Sequence, residues 1–175
     1  MIFIHGITGS ADETWGDFRS FLVAEGWQFG GSPTYRAASK QVAWVAAGDF
    51  YTMNMSDYDS LPFKSQNLAL SEQGWEVAAV IAEVLSANPG KGKVILAAHS
   101  MGGLASRSYL QGLAKKDGAD VAYRRDVAKL ITVDTPHQGA ELATLCQQFR
   151  PLGIPVLQRI RNRREQCRSS GNAQR

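Results

Sequence analysis

Residues 93–104 read Lys-Val-Ile-Leu-Ala-Ala-His-Ser-Met-Gly-Gly-Leu, and this stretch decides the fold. Val94, Ile95 and Leu96 make a short, partly β-branched apolar run, the signature of a buried parallel strand. Ala97 and Ala98 carry the run into His99-Ser100-Met101. Gly102 and Gly103 then open an apolar helical segment reaching to about Ala114. The order is therefore strand, tight turn with a serine at its apex, helix. Strand and helix approach closely at such a turn, so the residues two before and two after the serine must be small. Ala98 and Gly102 meet that need, Ala98 departing by one methyl group from the usual Gly-x-Ser-x-Gly.

Working outward, the same alternation repeats. Downstream, Leu130-Ile131-Thr132-Val133 reads as another buried strand, with Asp134-Thr135-Pro136-His137-Gln138-Gly139 leaving its carboxyl end. A turn is expected over residues 116–120 and a short helix over 140–149. Upstream, Val77, Val80, Ile81, Val84 and Leu85 share one helical face. Ser71 is the expected N-cap of that helix, Glu72 lies in its first turn, and Asn88-Pro89-Gly90 ends it. Further back, Ile2-Phe3-Ile4 is a minimal strand followed by His5-Gly6-Ile7-Thr8-Gly9-Ser10, a loop of small and polar residues. Trp15, Phe18, Phe21 and Leu22 mark one face of a helix over residues 12–26, closed by Gly26. A loop is expected over 30–40, a strand within 41–51, and a solvated, turn-rich loop over 52–62. The acidic residues of that loop lack calcium-ligand spacing.

The 175-residue length suits one domain with a substantial core, and 44% hydrophobic with 20% charged residues is ordinary for a globular chain. No apolar run reaches the length of a membrane span. No signal-peptide layout follows Met1, so a cytoplasmic location is the default expectation. The net charge of +3 is uneven: residues 149–175 carry seven arginines against one glutamate, leaving −3 on residues 1–148. Residues 1–148 are thus expected to form the folded core, and 149–175 a poorly ordered arginine-rich tail. No aromatic residues interleave those arginines, which argues against specific nucleic-acid binding. Cys146 and Cys167 fit no zinc spacing and leave pairing open. No metal or organic cofactor is called for: there is no His-Glu-x-x-His, no phosphate loop with Gly-Lys-Ser/Thr and no Gly-x-Gly-x-x-Gly.

Three pieces, the strand leading into His5-Gly6, Ala98-His99-Ser100-Met101-Gly102-Gly103, and Asp134-Thr135-Pro136-His137-Gln138-Gly139-Ala140, together resemble the α/β-hydrolase lipases and esterases. The nearest kinds are bacterial triacylglycerol lipases and GPI inositol-deacylase-like hydrolases. Some small Bacillus-type lipases also carry alanine first in the elbow. The resemblance covers roughly residues 1–145. It implies an α/β fold, an open, mostly parallel sheet with helices on both faces, gathering His5, Ser100 and Asp134 at one edge. It also implies Ser100 as nucleophile, forming an acyl-enzyme with a small-molecule or lipid ester. A second oxyanion donor is then needed beside the elbow; the backbone N–H of Ile7 is the expected one, paired with that of Met101.

A serine hydroxyl needs a base, and the base an orienting acid. In this fold they follow the serine in chain order. Of His5, His99 and His137, only His137 lies downstream, in a segment where the relatives carry a non-catalytic Thr-Pro-His. Asp134 is positioned as an acid, yet the relatives often have glycine there. Neither is assigned, and the simplest account is a hydrolase ending short of its catalytic histidine. Two readings follow: a carboxylic ester hydrolase, or a catalytically incomplete relative acting as a binding module. On the account of a hydrolase that ends short, the resemblance implies by its strand order that strand 130–133 lies at an open sheet edge, which invites self-association.

Overall fold

The computed structural model describes residues 1–7, 9–36, 39, 41–43, 45–55 and 69–139. Two compact units divide the chain, Met1–Pro136 and His137–Arg175. The fold below is that of the first. Of the second, residues 137–139 are described, as part of a turn. The helix expected over 140–149, the arginine-rich tail, the boundary at 148 and most of the loop expected over 52–62 lie outside the described residues.

The element order is β1 (Ile2–Ile4), α1 (Ala11–Ala24), β2 (Tyr35–Arg36), β3 (Gln41–Val42), β4 (Tyr51–Met53), α2 (Leu70–Ala87), β5 (Val94–His99), α3 (Met101–Leu110), β6 (Lys115–Lys116), β7 (Ala119–Asp120) and β8 (Val127–Val133). The main sheet runs β4-β1-β5-β8 and is parallel throughout. Ile2 pairs with Tyr51 on one side and Leu96 on the other, so the short β1 is the inner strand between β4 and β5. All four strands end on the same side, because parallel strands share a direction. This is the expected open α/β sheet.

Alternation along β1 separates two cores. Ile2 and Ile4 pack with Tyr51, Met53, Leu96 and Ala98 against α2 and α3, where Val77, Val80, Ile81, Val84, Ala105 and Tyr109 are buried. Phe3 turns the other way, joining Phe50 and Ala97 under Trp15 and Leu22 of α1. Helices therefore cover both faces. Of the expected α1 face, however, Trp15 and Leu22 are only partly buried. Phe18 meets Phe3 edge-on at 5.4 Å yet stays exposed, and Phe21 stacks on Phe18 at 6.0 Å, also exposed. Trp15 packs with this core.

Several element boundaries differ from the sequence reading. The strand sought within 41–51 is β4, at its far end, running on to Met53. Gln41–Val42 forms instead a small antiparallel pair with Tyr35–Arg36, inside what reads as a loop. Helix α2 begins at Leu70 with Ala69 as N-cap, not Ser71; the Glu72 carboxylate accepts from the Ala69 N–H at 3.1 Å. Helix α3 stops at Leu110, where Gly112 takes φ +70°, rather than at Ala114. The turn expected over 116–120 lies inside a β6–β7 hairpin. Strand β8 starts three residues early, at Val127. Its neighbour among the described residues is β5, so it lies at the sheet edge as expected.

Two buried polar clusters tie these layers together. Asn88, at the end of α2, donates to the Tyr51 hydroxyl and the Val84 carbonyl, both at 2.7 Å, and accepts from the Gly48 N–H at 3.2 Å. Tyr109 donates to Asp126 at 2.9 Å, and Arg124 joins the same carboxylate at 3.0 Å while reaching the Ala78 carbonyl of α2. The first cluster fixes α2 against β4, the second fixes α2 and α3 against the start of β8. Burial pushes the Tyr109 phenol up from its ordinary value, and the neighbouring carboxylate adds to it.

Candidate active site

The site is built where β1, β5 and β8 end. Strand β5 runs to His99, Ser100 makes the turn, and α3 starts at Met101. Ser100 has φ 50° and ψ −122°, a conformation that L-residues seldom adopt outside a constrained turn. Its surroundings hold it there. The Ser100 N–H donates to the Val133 carbonyl at 2.8 Å, and the Ser100 carbonyl accepts from the Gly103 N–H at 3.1 Å. Its side chain makes no capping bond to α3, so the hydroxyl is not spent on the helix.

Close approach explains the glycines. A Cβ at Gly102 would lie 2.5 Å from the His5 carbonyl oxygen and 2.9 Å from Ile4 Cγ2. The first turn of α3 thus rests directly on the end of β1. A Cβ at Gly6 would lie 2.7 Å from Ser100 Cβ and 3.0 Å from His99 Nδ1. The loop after β1 therefore backs onto the serine itself. A Cβ at Gly103 would lie 2.1 Å from Thr135 Oγ1, so the segment after β8 closes over the same helix end.

The expected site residues fall as follows. Ser100 and Met101 are consecutive at the apex and the helix start, both half-buried. Ile7 follows the glycine that touches Ser100 and is 37% exposed. Asp134 comes directly after β8, exposed, with φ 51°. The Ser100–Val133 bond makes it the serine's neighbour across the strand pair. His137 belongs to the second unit. His99 points with Ile95 and Phe3 toward the α1 face by strand register, and its Nδ1 is buried without a hydrogen-bond partner among the described residues.

His5 is fully buried, and its role is not legible in the sequence. Its Nδ1 lies 2.8 Å from the Gly6 carbonyl, and its Nε2 accepts from the Met55 N–H at 3.2 Å. A backbone N–H can only donate, so Nε2 carries the lone pair and Nδ1 the proton. Burial holds the ring's pKa below its ordinary value; His99 lowers it further, against the opposing Gly6 bond and Glu13 charge. Thr135 was equally hidden, although a second glycine after the elbow signals that something presses on the helix end. Among the described residues, no group of three His, Cys, Asp or Glu side chains could hold a metal ion. No described helix is long and apolar enough to cross a membrane.

Residues 1–151 match the family described as PGAP1-like alpha/beta domain. The chain is 25% identical over 179 residues to "Protein SERAC1" of Danio rerio, a match spanning 97% of this chain and 26% of that protein. It thus spans about a quarter of that relative's length. The solved structure of the gene lin2722 product from Listeria innocua superposes with a TM-score of 0.52 at 15% identity, covering 77% of this chain and 50% of that one. That likeness is one of fold.

Proposed function

The chain belongs to the family of PGAP1-like alpha/beta domains, a hydrolase-fold, lipase/esterase-like family with hydrolase-like function, and on that premise we propose that it cleaves carboxylic esters through Ser100. The observation that carries this reading is the positive φ of Ser100 at the apex between β5 and α3. Strain of this kind persists where surrounding contacts over-determine it, and here it presents a hydroxyl beyond the strand ends.

The proposed chemistry runs in two halves. Ser100 Oγ attacks the ester carbonyl carbon, its proton passing to a base, and the carbonyl oxygen becomes an oxyanion. The N–H groups of Ile7 and Met101 stabilise that charge. Collapse expels the alcohol, which takes up the proton, and leaves the acyl group on Ser100. Water repeats the sequence and releases the acid. Met101 N–H lies at the start of a ten-residue helix, whose dipole adds favourable potential there. The substrate is a small-molecule or lipid ester, and no cofactor takes part.

One observation favours a second reading, a binding module without turnover. His5 has a nitrogen committed to each of two backbone groups and is unsuited to act as base. Intact-mass labelling with a fluorophosphonate separates the two. One adduct on the native chain and none on Ser100→Ala supports the hydrolase, and His137 and Asp134 are then the next variants. No adduct on the folded native chain overturns it in favour of the binding module.

A further inference from the structure

The Gly6 carbonyl is held twice. The His5 Nδ1–H donates to it at 2.8 Å, and the Gly9 N–H donates to it at 3.3 Å. That carbonyl shares a peptide plane with the Ile7 N–H. The described chain has no cis peptide bond, and in a trans peptide C=O and N–H point in opposite directions. Fixing the carbonyl toward the His5 ring therefore fixes the Ile7 N–H away from it. Glycine at position 6 makes this restraint necessary. Contact with Ser100 forbids a side chain there, and a residue without Cβ tolerates a rotated peptide at little cost.

We infer that His5 is a positioning residue, whose Nδ1–H tautomer aims the Ile7 N–H by pinning the Gly6–Ile7 peptide plane. The inference rests on the reading of Ser100 as nucleophile and of Ile7 N–H as oxyanion donor. The tautomer is itself imposed from a distance. The Met55 N–H, just beyond β4, occupies Nε2 and leaves the ring proton on Nδ1. The end of β4 thus sets the direction of a donor at the end of β1, through one imidazole and one peptide.

Two near-isosteres separate this role from simple filling of space. Asparagine places an amide where Nδ1 was and keeps a donor for the Gly6 carbonyl. Glutamine reaches instead to the Nε2 position and keeps an acceptor for Met55. The role predicts that His5→Gln slows acylation of Ser100 by a fluorophosphonate, and turnover of a p-nitrophenyl ester, by about 10²-fold or more, the usual effect of losing one oxyanion donor. The fall appears in kcat more than in KM, and His5→Asn recovers a large part of it. Equal rates for the native chain and His5→Gln overturn the inference and leave the hydrolase reading intact. A native chain that neither labels nor turns over overturns the hydrolase reading and this inference with it. Imidazole ¹⁵N shifts of the native chain guard against a variant that fails to fold: Nδ1 protonated and Nε2 bare supports the inference, and the opposite tautomer overturns it.

Discussion

Histidine at position 5 makes stability depend on pH in a direction that follows from its burial. Its pKa in the fold lies below the ordinary value of 6.5. As pH falls through 6.5, the unfolded chain takes up a proton that the folded chain refuses. Stability is therefore fully present above about pH 6.5 and declines below it, by at most about 1.4 kcal/mol per pH unit from this one group. Urea unfolding between pH 7.5 and 5 checks this, with His5→Asn expected to flatten the acid limb. An unchanged limb in the variant would assign the loss to other groups. The contrast with Ser100 shows what a sequence discloses at this scale. Ser100 is legible because small residues, strand and helix around it are contiguous. The ring of His5 is not, because its partner Met55 lies fifty residues away and is a backbone amide.

Elements were legible in proportion to their length and apolar content. Helix α2 announces itself through five apolar residues on one face, and four of these are buried. Its start was misread because Ser71 is a good capping residue, whereas the actual cap, Ala69, has no side-chain acceptor. Ala69→Ser supplies one for the exposed first-turn amides, and we expect a gain of about 0.5–2 kcal/mol. A shift of the urea midpoint upward with unchanged slope is the measurement, and no shift would mean that the Ala69 carbonyl, which already accepts from the Glu72 N–H at 2.9 Å, satisfies this end. The two-residue strands β2, β3, β6 and β7 carry no periodicity to read. Lys115-Lys116 and Ala119-Asp120 pair because a turn brings them together, Asp117 and Gly118 both taking positive φ. The first residues of β8 hid for another reason: Ala128 and Lys129 are exposed on an outer strand and look like surface.

At the scale of the whole unit, helices cover both faces of the sheet, and among the described residues β8 has a strand neighbour on one side alone. Ile131 and Val133 lie on the same face of β8, 41% and 44% exposed, with Lys129 in the same row. An edge strand with unpaired backbone groups and exposed apolar side chains is a template for another strand. We expect the 175-residue chain to self-associate as concentration rises, and Ile131→Lys to move it toward monomer in sedimentation velocity. A native chain that stays monomeric across the range would show this edge to be protected. That the strands run parallel agrees with the alternating strand–helix pattern, since parallel strands need crossover connections. The placing of β1 between β4 and β5 was not written in that pattern, because three apolar residues fit an edge as well as a centre.

That placing governs the birth of the protein. Ile2–Ile4 precedes both of its partners, Tyr51–Met53 and Leu96–Ala98, in the chain. At synthesis rates of roughly 5–20 residues per second, the ribosome needs about 5–20 s to deliver the second partner. Until then the future middle of the sheet lacks its neighbour on the β5 side, although Tyr51–Met53 arrives earlier. The β1–β5 pairing waits for the segment that also brings Ser100, so the inner strand gains its second neighbour only as the turn that carries this serine is made.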